Sequence, residues 1–182
     1  MYMHQEGPQH DSESLHQLRR STQPNRSQYL ATMPDPSDVM RYEWRNARRL
    51  EIIKMTEAVI EAIGTGDYET YRKLCDPNMT SFEPETLGNL IEGVDYHKFT
   101  FDNLYPKQKA IKIRILNPHV RLLGDNAASI AYIRLTQFVD GDTGYLFSTR
   151  TQETRIWRKK ENVWYNVHVH RSGNELIRKS II

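Results

Sequence analysis

The stretch Ala127-Ala128-Ser129-Ile130-Ala131-Tyr132-Ile133-Arg134-Leu135-Thr136-Gln137-Phe138 holds no Gly or Pro and is rich in β-branched and aromatic side chains. That composition reads as one long strand. Alternation puts Ile130, Tyr132, Arg134, Thr136 and Phe138 on one face and Ala131, Ile133 and Leu135 on the other. A guanidinium on the face that carries the large apolar side chains is the feature to explain, because it stays charged and is costly to bury unpaired.

Working outward, the same period of two recurs on both sides. Ile111, Ile113 and Ile115 alternate with Lys112 and Arg114; Asn117-Pro118 interrupts, and His119–Leu123 resumes. Gly124-Asp125-Asn126 is a turn, and Asp140-Gly141-Asp142-Thr143-Gly144 is a loop. Tyr145–Trp157 and Val163–Arg171 are two further strands, joined by Lys160-Glu161-Asn162. Short links between neighbours predict an antiparallel meander.

Before residue 110 the period is helical. Ile52, Thr56, Val59 and Ile63 make one stripe within a helix from about Tyr42 to Ile63, stopped by Gly64. Asp67 caps a short helix carrying Tyr68, Tyr71 and Leu74, which Asp76-Pro77-Asn78 ends. A third helix runs from about Glu92 to Leu104 and turns His97 inward with Val94 and Phe101. Helices followed by strands describe an α+β domain, with a twisted sheet curling as a cone around the long first helix. Residues 1–40 are polar and Pro-broken and read as a disordered arm; residues 41–175 form the domain, and 176–182 a tail. Within the arm, Arg19-Arg20-Ser21-Thr22 has the form of a basophilic kinase target.

Composition removes several classes. Lys+Arg 25 against Asp+Glu 23 leaves +2, which calls for neither nucleic acid nor an acidic membrane. No apolar run approaches a membrane span, and the start shows no secretory signal, so a cytoplasmic setting is expected. One cysteine, Cys75, makes neither an internal disulfide nor a cysteine zinc site. Glycine-rich phosphate loops, nucleophile elbows, zinc helices and the kinase motif set are absent from the sequence.

Alternation on two more strands repeats the puzzle of Arg134. Arg155 shares a face with Thr151, Glu153 and Trp157, and Arg171 with Val163, Tyr165, Val167 and Val169. Three guanidiniums facing one hollow, with His97 as a fourth donor, would receive a carboxylate or phosphate. The alternative is that they pair with Glu153 or another internal acid, or keep their heads in water. His168 and His170 share a strand face with Trp164 and Asn166, but local spacing supplies no third ligand, so neither metal nor cofactor is expected. Asp95 and His97 lie two apart on a helix and do not face each other as an acid/base pair.

Several stretches resemble the association (hub) domain family of Ca²⁺/calmodulin-dependent protein kinase II. They include Cys75-Asp76-Pro77, Ser81-Phe82-Glu83-Pro84-Glu85, Glu92-Gly93-Val94-Asp95-Tyr96-His97, Ile115-Leu116-Asn117-Pro118-His119-Val120, Ala127–Gln137, Glu153-Thr154-Arg155-Ile156-Trp157 and Asn166–Gly173. The resemblance implies a cone-shaped nuclear transport factor 2-like, or SnoaL-like, fold. It also implies a non-enzymatic, scaffold-like module whose dimers close into a stacked homo-oligomeric ring. The family's pocket for small carboxylates or a peptide segment falls here on His97, Arg134, Arg155 and Arg171. The family's kinase domain is not read within these 182 residues, which leaves open whether one precedes them, and the arm lacks a continuous basic amphipathic helix, so calmodulin binding is not carried over. The loop at 140–147 and the tail at 174–182 depart from the family pattern, which leaves the ring size open. The rival reading is an isomerase or dehydratase of the same superfamily, with His97, Asp95 or Tyr132 as the acid/base group.

Overall fold

The computed structural model describes residues 35–103, 110–139 and 144–178. The kinase-target tetrapeptide and the arm up to residue 34 lie outside these, as do Leu104 and the tip of the 140–144 loop. The chain divides into two units, Met1–Tyr42 and Glu43–Ile182. In the first, the described residues are the start of helix α1 (Pro36–Thr65), where Asp35 Oδ1 accepts the Ser37 amide at 2.8 Å. The helix starts at Pro36, six residues before the position expected from the apolar stripe. Proline suits a first helical turn, whose N–H groups lack intrahelical partners.

In the second unit, α1 buries Ile52, Thr56, Val59, Ile60 and Ala62. Gly66 in the left-handed region (φ 73) and Asp67 then start helix α2 (Tyr68–Leu74), with Asp67 Oδ1 accepting the Thr70 amide at 3.0 Å. Strand β1 (Cys75–Phe82), a 3-10 turn (Pro84–Thr86), strand β2 (Ile91–Glu92) and helix α3 (Asp95–Asn103) follow. Strands β3 (Ala110–Leu122), β4 (Ala127–Val139), β5 (Leu146–Lys160) and β6 (Val163–Arg178) complete the chain.

Among the described residues six strands form one open sheet in the order β2-β1-β6-β5-β4-β3. The β3–β6 run is the antiparallel meander that the short turns predict. Strands β1 and β2 correct the sequence reading, in which Asp76-Pro77-Asn78 ended a helix. That tripeptide lies in β1, which pairs parallel to β6 with a register shift between Cys75 and Thr80. Proline lacks a ladder donor, and an irregular stretch of strand accommodates it. Asn117-Pro118 acts likewise: instead of dividing two strands it forms a bulge within β3, with Asn117 at φ 51.

The inner sheet face packs on α1, where Trp157 Nε1 donates to Thr56 Oγ1 at 3.1 Å. Ile52, Val59, Ala128, Ile130 and Trp157 are among the buried residues of this core. A second correction concerns β6. Its pairing with β5 skips Val167, since Ile156 faces His168 while Trp157 faces Asn166. The bulge switches faces, so Trp164 and Asn166 are buried together with Val169. Val163, Tyr165 and Val167 therefore do not share the inner face with Arg171. His168 and His170 flank the Phe82 ring, and His168 Nδ1 shares a 2.7 Å hydrogen bond with Thr80. Among the described residues no helix is long and apolar enough to cross a membrane.

Candidate functional site

Cross-strand register assembles the site. Tyr132 on β4 pairs with Glu153 on β5, which pairs with Arg171 on β6; Arg134 lies opposite Thr151 one pleat away. The inner face of β5 thus changes from Trp157, against the helix, to Arg155, Glu153 and Thr151, all buried. Helix α3 brings His97, and the end of β1 brings Glu83.

Glu153 is the hub of the buried charges. Arg134 Nε lies 3.0 Å from its Oε1 and Arg155 Nη2 3.2 Å from its Oε2. Tyr132 donates its hydroxyl to Oε2 at 2.6 Å, Thr151 donates to Oε1 at 3.2 Å, and Arg155 Nε donates to the Tyr132 oxygen at 2.9 Å. Burial alone would raise the Glu153 pKa, but the Arg134 and Arg155 charges outweigh it and hold the carboxyl below its ordinary range. Burial and the Glu153 charge push the Tyr132 hydroxyl well above its ordinary value of 10.

A second network meets the first at Arg171. Glu83 Oε2 accepts from Arg171 Nη2 at 2.7 Å and Nε at 3.2 Å, and its Oε1 accepts from His97 Nε2 at 2.9 Å. Arg171 Nη2 also reaches Glu85 at 2.5 Å. Burial would raise the Glu83 pKa; the His97 hydrogen bond and the Arg171 charge win and lower it to about 2. Of the two readings of the arginines, pairing with internal acids is the one the geometry displays.

The four predicted residues, His97, Arg134, Arg155 and Arg171, do line one cavity, together with Ile63, Tyr71, Glu83, Phe101 and Val169. Its free volume is ≈ 10 Å³, about that of one water-sized probe. His97 and Arg155 are 5% and 2% exposed, and His97 Nδ1 and Arg155 Nη1 find no hydrogen-bond partner among the described residues. Asp95 is exposed and does not line this cavity, so it cannot serve His97 there. A larger groove of ≈ 510 Å³ lies between α1 and β3, walled by Glu57, Glu61, Lys112 and Arg114, and touches none of these residues.

Sequence reasoning missed Glu83 because it missed β1. The available signal was the alternation Met79, Ser81 on one face, followed by a lone acid between Phe82 and Pro84.

Residues 48–175 match the family described as the calcium/calmodulin dependent protein kinase II association domain. The calcium/calmodulin-dependent protein kinase type II alpha chain of Drosophila melanogaster is 56% identical over 133 residues, which are 72% of this chain and 25% of that one. The subunit delta of Oryctolagus cuniculus is 54% identical over 132 residues, again 72% and 25%. The chain thus spans about a quarter of the length of these curated relatives.

Among solved structures, the association domain of C. elegans CaMKII superposes with a TM-score of 0.64 at 44% identity, over 70% of this chain and 96% of that one. The hub homology domain of Chlamydomonas reinhardtii gives 0.62 at 40%, over 69% and 98%. A nuclear transport factor 2-like protein from Salmonella enterica, 21% identical with a TM-score of 0.61 over 72% and 94%, shares the fold. The α+β arrangement, the order of the matched stretches and the near-complete coverage of solved association domains agree: the chain belongs to the calcium/calmodulin-dependent protein kinase II association-domain family.

Proposed function

We propose that this chain is a non-enzymatic oligomerisation module whose subunits pair into dimers and whose dimers close into a stacked ring in the cytoplasm. The observation that carries this reading is the match over 96% of a solved association domain at 44% identity. The outer sheet face offers material for contacts, since Ile133, Leu135 and Ile156 point away from the buried charges and are half-buried in the single chain. Stable contacts between copies need more than ~1,000 Å² of buried surface. The arginine-lined cavity is the ligand site in this proposal, with His97, Arg134, Arg155 and Arg171 receiving a small carboxylate or the acidic group of a peptide segment. Convergence of three guanidiniums and an imidazole on one apolar-walled hollow supports it. The isomerase reading has less support: Asp95 stands outside the cavity, and the Tyr132 hydroxyl, pushed well above its ordinary value, is engaged by Glu153 and Arg155.

Native mass spectrometry of the full chain at micromolar concentration tests the assembly. Species at high multiples of 21.4 kDa are expected. A spectrum of monomer alone would refute the module.

A further inference from the structure

Two cavities in this unit share a wall. One is the buried arginine cavity; the other is an open surface groove of ≈ 370 Å³ whose lining includes Phe82, Pro84, Gly88, His170 and Gly173. Glu83 and Arg171 line both. Their 2.7 Å ion pair therefore stands between the surface and the buried guanidiniums.

The two buried acids differ in their freedom to leave. Glu153 sits in β5, a central strand, 2% exposed and contacted by Arg134, Arg155, Tyr132 and Thr151. Glu83 sits where β1 ends and a single 3-10 turn begins. That turn leads to Leu87, 89% exposed at φ 53, and to Gly88 at φ 86. Charge sets a further condition. Among the described residues, Arg134, Arg155 and Arg171 face the carboxylates of Glu83, Glu85 and Glu153. An added anion would place a fourth negative charge on three positive ones unless one acid withdrew.

The geometry points to Glu83 as a built-in occupant and gate: its carboxylate holds the place on Arg171 and His97 that a ligand carboxylate would take, and a carboxylate compound arriving through the groove must displace it. This rests on the reading of the arginine cavity as a carboxylate receptor. The exchange swaps one carboxylate for another, so the hydrogen bonds from His97 Nε2 and Arg171 are kept. Arg155 lines the same cavity, and its buried Nη1 finds no acceptor among the described residues, so an entering carboxylate gains this N–H as well. A buried guanidinium N–H gains most from a charged acceptor. The ligand class is thus a compound with a slim carboxylate end.

Acetate reproduces the end of a glutamate side chain and serves as the probe. The full chain, Glu83→Gln and Glu85→Gln are titrated with acetate and followed by NMR. The gate predicts that Glu83→Gln binds acetate at least about tenfold more tightly than the unaltered chain. Glu85→Gln removes a charge from the same guanidinium but lines neither cavity, so it gains clearly less. Equal affinity for the unaltered chain and Glu83→Gln overturns the gate and leaves the receptor standing. Equal tightening in both variants also overturns the gate, in favour of plain charge removal. Absence of binding in every chain at about 100 mM acetate overturns the receptor and the gate together. Should Glu83→Gln fail to fold, Glu83→Ala and Glu85→Ala replace the pair, since each removes its carboxylate outright, and the same outcomes decide.

Discussion

Glu153 holds two guanidiniums with one carboxylate, in a place 2% exposed to water. Removing its charge leaves Arg155 buried, and Arg134 half-buried, without their shared carboxylate among the described residues. Glu153→Gln is expected to lose about 3–5 kcal/mol of stability in urea unfolding. A loss under about 1 kcal/mol would mean that the guanidiniums find water or another acid on their own. Glu83 adds a pH dependence. Its pKa falls from the ordinary 4.5 to about 2 on folding, so the folded state binds fewer protons between those values. Its contribution, about 3 kcal/mol, is complete above pH 4.5 and drains away as pH falls towards 2. Unfolding free energy measured down that window should decline steeply, and Glu83→Gln should flatten part of the decline. Arg134 and Arg155 were legible at this scale because alternation on an uninterrupted strand is reliable. The partners of Arg171 were not, because one bulge upstream reverses every inward and outward assignment that precedes it.

At the scale of elements, strand β6 shows how irregularity positions function. One bulge opposite Ile156–Trp157 turns Val169 and Arg171 inward. A second lies opposite the Arg150–Gln152 stretch, where Gly173 takes φ 76. A Cβ at Gly173 would meet the flexible end of the Gln152 side chain, which can swing away, so the cost of a side chain here lies in the left-handed backbone. Gly173→Ala should therefore cost about 1–2 kcal/mol. Thermal melts read this directly; an unchanged midpoint would show that the end of β6 yields without cost. Helix α1 was legible from its stripe, because one apolar face needs only a 3.6-residue period. Strand β1 was hidden by Pro77 and by its partner β6, which lies some ninety residues away and contributes the parallel ladder.

For the whole second unit, the open sheet leaves an outer face whose apolar residues Ile133, Leu135 and Ile156 are only half-buried among the described residues. Ile133 lies between Leu116 on β3 and Gln152 on β5. If copies meet on this face, Ile133→Glu will shift native mass towards small species while circular dichroism stays unchanged, since the residue points away from the core. Unaltered masses would move the contact elsewhere on the subunit. Cys75 is buried within each subunit, and that burial, against the opposing Arg155 charge, raises its thiol to about 11 and so lowers its thiolate fraction.

The amino-acid order by itself determined the α+β class, the four-strand meander, the long helix and the inward direction of Arg134, Arg155 and His97. These follow from local periodicity and short links, which neighbouring residues set without reference to the rest of the chain. Only the tertiary structure decided that a bulge parts Arg171 and Val169 from Val163, Tyr165 and Val167, that β1 joins the sheet in parallel, and that Glu83 and Glu153 already occupy the guanidiniums. Those outcomes depend on pairing between distant segments, where the need to neutralise buried charge selects which acid meets which arginine.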